Sequence, residues 1–209
     1  MIFKRHKPIR PTEDALEAAR SAVKSAADAG RPVRVLFVCL GNICRSPAAQ
    51  GVMEKMAADR GLDKMVECDS AGFYGGHRGQ LPDIRMREAA LHRGYHLDHR
   101  SRTVTYSDFI DFDLIVGMDR NNLDDLHRAA PSHEMEKKII GMIDYASDHP
   151  DDTYVPDPYY EGAAGFQLVL NLLEDACSNL LDILTYNAAY VKPAGRAGGG
   201  TTLPQSDKF

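Results

Sequence analysis

Residues Val33 to Ser46 read VRVLFVCLGNICRS, and the fold is decided by how this stretch is read. Val33 to Val38 is a short run of β-branched and aromatic apolar residues, the pattern of a buried strand, and Cys39-Leu40-Gly41-Asn42 interrupts it with loop chemistry. Ser46-Pro47 then opens a helix. Between strand and helix stand Cys39, five residues and Arg45, a spacing that wraps backbone N–H groups around a tetrahedral oxyanion at a helix N-terminus. The stretch reads as a phosphate cradle with a nucleophile in its floor.

Each part has a physical task. The thiolate rather than the thiol is the nucleophile, and a helix N-terminus beside an arginine favours the thiolate; Cys39 occupies that position. Arg45 offers a planar fork that holds two phosphoryl oxygens at once and follows them into a trigonal bipyramidal transition state, which a lysine does less well. Gly41 and Asn42 tolerate left-handed backbone and close approach to a ligand, while Leu40, Ile43, Cys44 and Ser46 complete the cradle. A buried cysteine at a strand end or a surface arginine would account for either residue alone. Neither accounts for both in this order with Gly, Asn, Ser and Pro.

With 209 residues, 44% apolar and 26% charged, the chain suits one globular domain with a sizeable core and some spare segments. A net charge of -5 argues against general nucleic-acid binding, which needs a basic face, yet leaves room for a local phosphate site. No stretch approaches the roughly 18 to 20 apolar residues of a membrane span. The basic Met1 to Arg10 precedes an alanine-rich charged helix rather than an apolar signal core, so a cytoplasmic protein is expected. Cys39, Cys44, Cys68 and Cys177 lack the density of a disulfide scaffold and the pairing of zinc ligands, and they read as thiols. No metal or other cofactor is expected, because no carboxylate or histidine cluster has ligand spacing.

Outward from the cradle, strands and helices alternate. Thr12 to Ala29 predicts a helix ahead of the domain whose apolar residues are mostly alanines, expected to pack lightly or lie largely exposed. Ser46 to Arg60 predicts the helix after the first strand, and Lys64 to Asp69 a second parallel strand with Ser70-Ala71-Gly72 beyond its end, on the edge of the cradle. Phe73 to Leu81, with four glycines, reads as a loop. Helices are expected over Pro82 to Arg93, Tyr106 to Ile110 and Asp119 to Ala129, and strands over Leu114 to Gly117 and Lys138 to Met142. Phe166 to Tyr186 carries the strongest amphipathic stripe, through Phe166, Val169, Leu170, Leu173, Cys177, Leu180, Leu181 and Leu184. Pro158 pushes Asp157 toward extended backbone.

VCLGNICRSP, Ser70-Ala71-Gly72, Met118-Asp119 and Asp157-Pro158-Tyr159-Tyr160 together resemble the low-molecular-weight protein tyrosine phosphatase family, over about Val33 to Val191. The resemblance implies an α/β three-layer sandwich with a central four-stranded parallel sheet, flavodoxin-like (phosphotyrosine protein phosphatase I-like). It divides the chain into an N-terminal helical extension at 1–32, the phosphatase domain at 33–191 and a Gly-rich tail at 192–209 expected to be disordered. The implied activity is metal-independent hydrolysis of phosphotyrosine in proteins through a cysteinyl-phosphate. Cys39 would be the nucleophile, Arg45 the transition-state clamp and Asp157 the general acid and then base, with partial burial or nearby negative charge expected to keep its carboxyl protonated for the first step.

The same resemblance assigns Ser46 to the Cys39 thiolate, and Ser70 and His99 to bracing Asn42 in its unusual backbone state. Asp119 matches a family position but also suits the N-cap of the following helix. Cys44 would form a reversible disulfide with Cys39 under oxidation. Tyr159 and Tyr160 would flank the cleft and, by analogy, be targets of a partner tyrosine kinase. One departure is visible: where many members carry a tryptophan on the cleft wall, this chain has about Gly76 and no tryptophan at all. Phe73, Tyr74 and Tyr159 are expected to rebuild the wall of a wider cleft, with Ile43 against the phenol ring, favouring tyrosine over the arginine phosphatases that tend to carry threonine there. Arsenate reductase on the same fold and a non-catalytic phosphopeptide-binding module are the competing readings. The first needs relay cysteines, which Cys68 on a strand and Cys177 on a core helix do not offer; the second needs neither a thiolate nor an acid.

Overall fold

The computed structural model describes residues 11–149 and 151–190; the tail at 192–209 and the basic segment before Pro11 lie outside the described residues. In chain order the elements are α1 (Glu13–Ala29), β1 (Val33–Cys39), α2 (Arg45–Asp59), β2 (Val66–Gly72), a short turn of 3-10 helix at Gly75–His77, α3 (Ile84–Leu91), α4 (Tyr106–Asp111), β3 (Leu114–Gly117), α5 (Arg120–Ala129), α6 (His133–Glu136), β4 (Ile139–Gly141), a second 3-10 turn at Met142–Tyr145, and α7 (Ala163–Tyr190). The four strands form one parallel sheet in the order β2-β1-β3-β4.

Side chains alternate along a strand, so β1 has two faces to bury. Val33, Val35, Phe37 and Cys39 enter one apolar cluster with α1, α2 and α7, while Leu36 and Val38 enter another with Phe109 of α4 and Leu126 of α5. Burial on both faces is why β1 reads as an unbroken apolar run. The stripe on α7 is buried throughout, from Phe166 to Leu184. These layers make the expected flavodoxin-like three-layer sandwich. Because the chain leaves β1 for β2 on one side and then crosses back to β3 on the other, the sheet's switch point lies at the carboxyl end of β1, at Cys39.

Two expectations are corrected. Ser70, Ala71 and Gly72 belong to β2 itself, paired with Phe37, Val38 and Cys39. Backbone pairing with a strong neighbouring strand overrides the weak strand preference of Asp, Ser and Gly. The helix at α1 is neither lightly packed nor exposed: Ala15, Ala18, Ala19, Ala22, Val23 and Ala26 form a buried face. Small side chains let the helix approach closely, so that Tyr145 Oη donates to the Ala15 carbonyl at 3.0 Å. Among the described residues no helix is long and apolar enough to cross a membrane.

Candidate active site

Cys39 ends β1 and Arg45 opens α2, so the cradle spans the switch point. Cys39 Sγ accepts a hydrogen bond from the Asn42 backbone N–H at 3.3 Å and stands 3.1 Å from Ser46 Oγ. Asn42 holds φ at 52°, the left-handed region, which turns its amide inward to the sulfur.

A chain of side chains fixes that turn. The Arg102 backbone N–H donates to Asn42 Oδ1 at 2.9 Å, which identifies the oxygen end of the amide. Asn42 Nδ2 then donates to Ser46 Oγ and to Ser70 Oγ, each at 2.9 Å. His99 Nε2, 3.0 Å from the same Oδ1, is therefore the protonated nitrogen. Ser70 passes its own proton on to Gln50 Oε1 at 2.8 Å. A thiolate has no proton to give, so in that state Ser46 is the donor to Cys39. Burial pushes His99 below its ordinary range and Arg102 adds to this, while Asp69 opposes it.

Arg45 is buried, and its guanidinium joins two later segments of the chain. It donates to Asp119 Oδ2 through Nη1 and to Asp157 Oδ2 through Nη2 at 2.8 Å. Burial opposes its charge, but Cys39, Asp157 and Asp119 outweigh burial and hold it firmly cationic. Arg45 Nε is also buried and makes no hydrogen bond among the described residues. Asp119 is also the N-cap that the sequence suggests: its other oxygen accepts from the Asn122 N–H at 2.8 Å and caps α5. Asp157 departs from expectation. Its side chain is 43% exposed and faces a cation, in place of the partial burial or negative surroundings foreseen, because Arg45 reaches across to the loop that carries it.

A cleft of about 380 Å³ opens above the cradle. Cys39, Leu40, Gly41, Ile43, Cys44 and Arg45 form its floor; Tyr74 and His77 stand on one wall, Asp157, Tyr159 and Tyr160 on the other. Tyr159 and Tyr160 meet edge to face at 5.0 Å, and Arg85 lies over the Tyr159 ring. Phe73 is not part of the lining: it packs inward against the cluster around Leu36 and Phe109. Cys44 is buried among floor residues, and burial pushes its thiol far above the ordinary range. The sequence reading missed His77, Gln50, Ser101 and Arg102. Ser101 Oγ donates to the Gly41 carbonyl at 3.1 Å, so one segment, Ser101-Arg102, ties down two residues of the cradle. Only the lone histidine in a glycine-rich stretch offered any signal for His77.

The family model for low molecular weight phosphotyrosine protein phosphatase matches residues 34–190. A low molecular weight protein-tyrosine-phosphatase of Streptomyces coelicolor is 42% identical over 149 residues, 71% of this chain and 91% of that protein. The low molecular weight phosphotyrosine protein phosphatase of Homo sapiens is 35% identical over 148 residues, 71% of this chain and 93% of that protein. The crystal structure of a protein tyrosine phosphatase from Entamoeba histolytica superposes with a TM-score of 0.68 at 47% identity, covering 71% of this chain and 94% of that one. A cysteine-and-arginine loop at the switch point of a 2-1-3-4 sheet, matched over nearly the whole length of these relatives, places the chain in the low molecular weight phosphotyrosine protein phosphatase family as a protein-tyrosine-phosphatase.

Proposed function

We propose that the enzyme hydrolyses phosphotyrosine in proteins through a cysteinyl-phosphate, with Cys39 as nucleophile. The observation that carries this is the pairing of a sulfur held by the Asn42 N–H and Ser46 with a buried arginine whose Nε has no partner among the described residues. Such a donor beside the inward-turned Asn42 amide suits a phosphoryl oxygen. In the first step Cys39 sulfur attacks phosphorus, the P–O bond to the ring breaks, and the Asp157 carboxyl gives its proton to the departing phenolate. In the second step Asp157 takes a proton from water, the hydroxide oxygen attacks phosphorus, and the S–P bond breaks to return the thiolate and release phosphate. Phosphoryl oxygens compete with Asp157 for Arg45, which frees the Asp157 carboxyl to turn to the leaving oxygen. Asp119 keeps its hold on Arg45 and steers the fork.

Ile43 in the cleft floor supports an aryl substrate over phosphoarginine. Cys68 is partly buried on β2, and Cys177 lies buried in α7 with Sγ turned to the Ala49 carbonyl, which does not suit the disulfide relay of an arsenate reductase. Cys44 is the residue we assign to disulfide protection of Cys39.

Steady-state hydrolysis of phosphotyrosine, phosphoarginine and phosphoserine peptides, with Asp157→Asn alongside, tests the reading. Wild type is expected to prefer phosphotyrosine, and Asp157→Asn to lose about 10²- to 10⁴-fold on it and far less on an acidic phenol, whose departure needs no proton. Equal losses on both leaving groups remove Asp157 from the acid role, and a preference for phosphoarginine removes the substrate assignment.

A further inference from the structure

Asp157 sits on a loop, and that loop has to be held against the cradle for its carboxyl to meet a leaving oxygen. Before Asp157 the hold is through backbone: the Val155 N–H donates to the Met118 carbonyl at 2.9 Å. After it the hold passes to side chains. The Tyr159 N–H donates to Asp157 Oδ1 at 3.2 Å, and the Arg85 guanidinium lies 5.3 Å from the centre of the Tyr159 ring. The same guanidinium lies 4.9 Å from the centre of the Phe166 ring, near the start of α7.

Arg85 is in turn tied to the cradle. Its Nε and Nη2 donate to the two carboxylate oxygens of Asp83 at 3.0 and 2.7 Å, a forked pair. Asp83 gives its backbone N–H to the carbonyl of the cradle residue Ile43 at 2.7 Å. Cradle, Asp83, Arg85, Tyr159 and Asp157 therefore form one connected path. Pairing with Asp83, the N-cap of α3, would by itself explain a surface arginine. It does not explain the two rings gathered on the guanidinium, nor a cation in the first turn of a helix, the end at which the backbone dipole disfavours it. A planar cation can keep its fork on a carboxylate and offer a face to aromatic rings at once, which an ammonium cannot.

We infer that Arg85 is a positioning residue for Asp157: it braces Tyr159, and through Tyr159 the acid loop, against the cradle. The inference rests on the acid role proposed above. When phosphoryl oxygens take Arg45 from Asp157, the Tyr159 N–H still holds Oδ1, and Oδ2 is the oxygen left to carry the proton. Arg85 keeps that amide in place and touches no reacting atom.

The ratio of kcat/KM on phenyl phosphate to kcat/KM on para-nitrophenyl phosphate tests it, because both esters present a ring to the walls and only the first needs the proton. Taken within each enzyme, the ratio cancels a general loss of activity. The Arg85 side chain is 44% exposed, so Arg85→Met is expected to fold; it keeps the stem and loses fork and charge. It should lower the ratio about two- to fivefold, the size of one exposed contact between a cation and an aromatic ring. Tyr159→Leu should lower it by the same factor, and the double variant no further. In an Asp157→Asn background, where the ratio is already low, Arg85→Met should leave it unchanged. A wild-type ratio in Arg85→Met, additive losses in the double variant, or a further fall in the Asp157→Asn background overturns the inference while the acid role stands. Should Asp157→Asn itself keep the wild-type ratio, the acid role fails and this inference with it.

Discussion

The ring of Tyr74 lies over Gly76: a Cβ built on residue 76 would stand 2.4 Å from Cε1, Cζ and Oη of that ring. The glycine that looked in the sequence like a missing wall is the space in which Tyr74 sits, with His77 edge-on behind it. An aromatic contact of this kind is worth about 0.5 to 1.5 kcal/mol beyond area burial, or roughly two- to twelvefold in affinity. Tyr74→Ala should therefore lower kcat/KM by about that factor on phenyl phosphate and less on an alkyl phosphate. Gly76→Trp alone collides with Tyr74, and adding Tyr74→Gly should recover the aryl preference. Equal losses on aryl and alkyl esters would show that Tyr74 is not the wall.

Gly72 meets the cradle from beneath. A Cβ there would be 2.6 Å from the Leu40 carbonyl oxygen and 2.8 Å from the Asn42 nitrogen, both backbone atoms with no rotamer to escape into. Gly72→Ala must push the cradle away from β2, at a cost of about 1 to 3 kcal/mol typical of overpacking. Because Asn42 N–H is the donor to Cys39, turnover should fall by more than tenfold, well beyond what the stability change explains. Wild-type kcat/KM in a folded Gly72→Ala variant would mean the cradle yields without consequence.

The local part of this site was legible in the sequence and the convergent part was not. Cys39 to Ser46 carries its own punctuation, so strand, cradle and helix could be read from adjacent residues. The Arg45 to Asp157 ion pair joins positions 112 residues apart, and no local pattern announces it. The alanine face of α1 was misjudged for a related reason: alanine contributes by letting a helix come close, and what it comes close to is a tertiary fact. Phe73 and Tyr74 are adjacent aromatics of equal promise, yet Phe73 turns into the core and Tyr74 to the cleft. Alternation after β2 explains the split, but only once β2 is known to run through Gly72.

Oxidation should reach Cys44 slowly and in a pH-dependent way. Peroxide converts the Cys39 thiolate to a sulfenic acid; the Cys44 thiolate then attacks that sulfur, an S–S bond forms, and hydroxide leaves to become water. Burial first, then the negative charges of Asp83, Cys39 and Asp157, push the Cys44 thiol far above its ordinary range, so little of it is thiolate at neutral pH. The rate of disulfide closure, followed by mass spectrometry after a peroxide pulse, should rise about tenfold per pH unit from 7 to 9. A flat profile would mean that another group removes the Cys44 proton, and over-oxidised Cys39 with no Cys39 to Cys44 bond would remove the protective role.

Asp113 fastens α1 to the sheet, and its stability contribution should carry a defined pH signature. Its side chain is buried and accepts from Ser25 Oγ, both terminal nitrogens of Arg31 and the Arg34 backbone N–H, at 2.6 to 2.9 Å. Burial alone would raise its pKa, but the hydrogen bonds from Arg31, Arg34 and Ser25 and the Arg31 charge outweigh burial and hold it below the ordinary carboxylate range. A depressed folded pKa means the carboxylate stabilises the fold above its unfolded pKa of about 4 and loses that contribution as pH falls through the folded value. Asp113→Asn keeps the shape but loses the charge for Arg31, which is 27% exposed and so partly screened; a loss of about 2 to 3 kcal/mol at pH 7 is expected. Denaturant titrations of both proteins from pH 7 to pH 3 should show the gap holding to about pH 4 and closing below it, since the wild-type carboxyl then protonates as well. Amides of α1 should exchange faster in the variant than those of β1, because the bonds removed are the ones that dock the helix. A stability gap that is as wide at pH 3 as at pH 7 would assign the loss to packing rather than to the Asp113 charge.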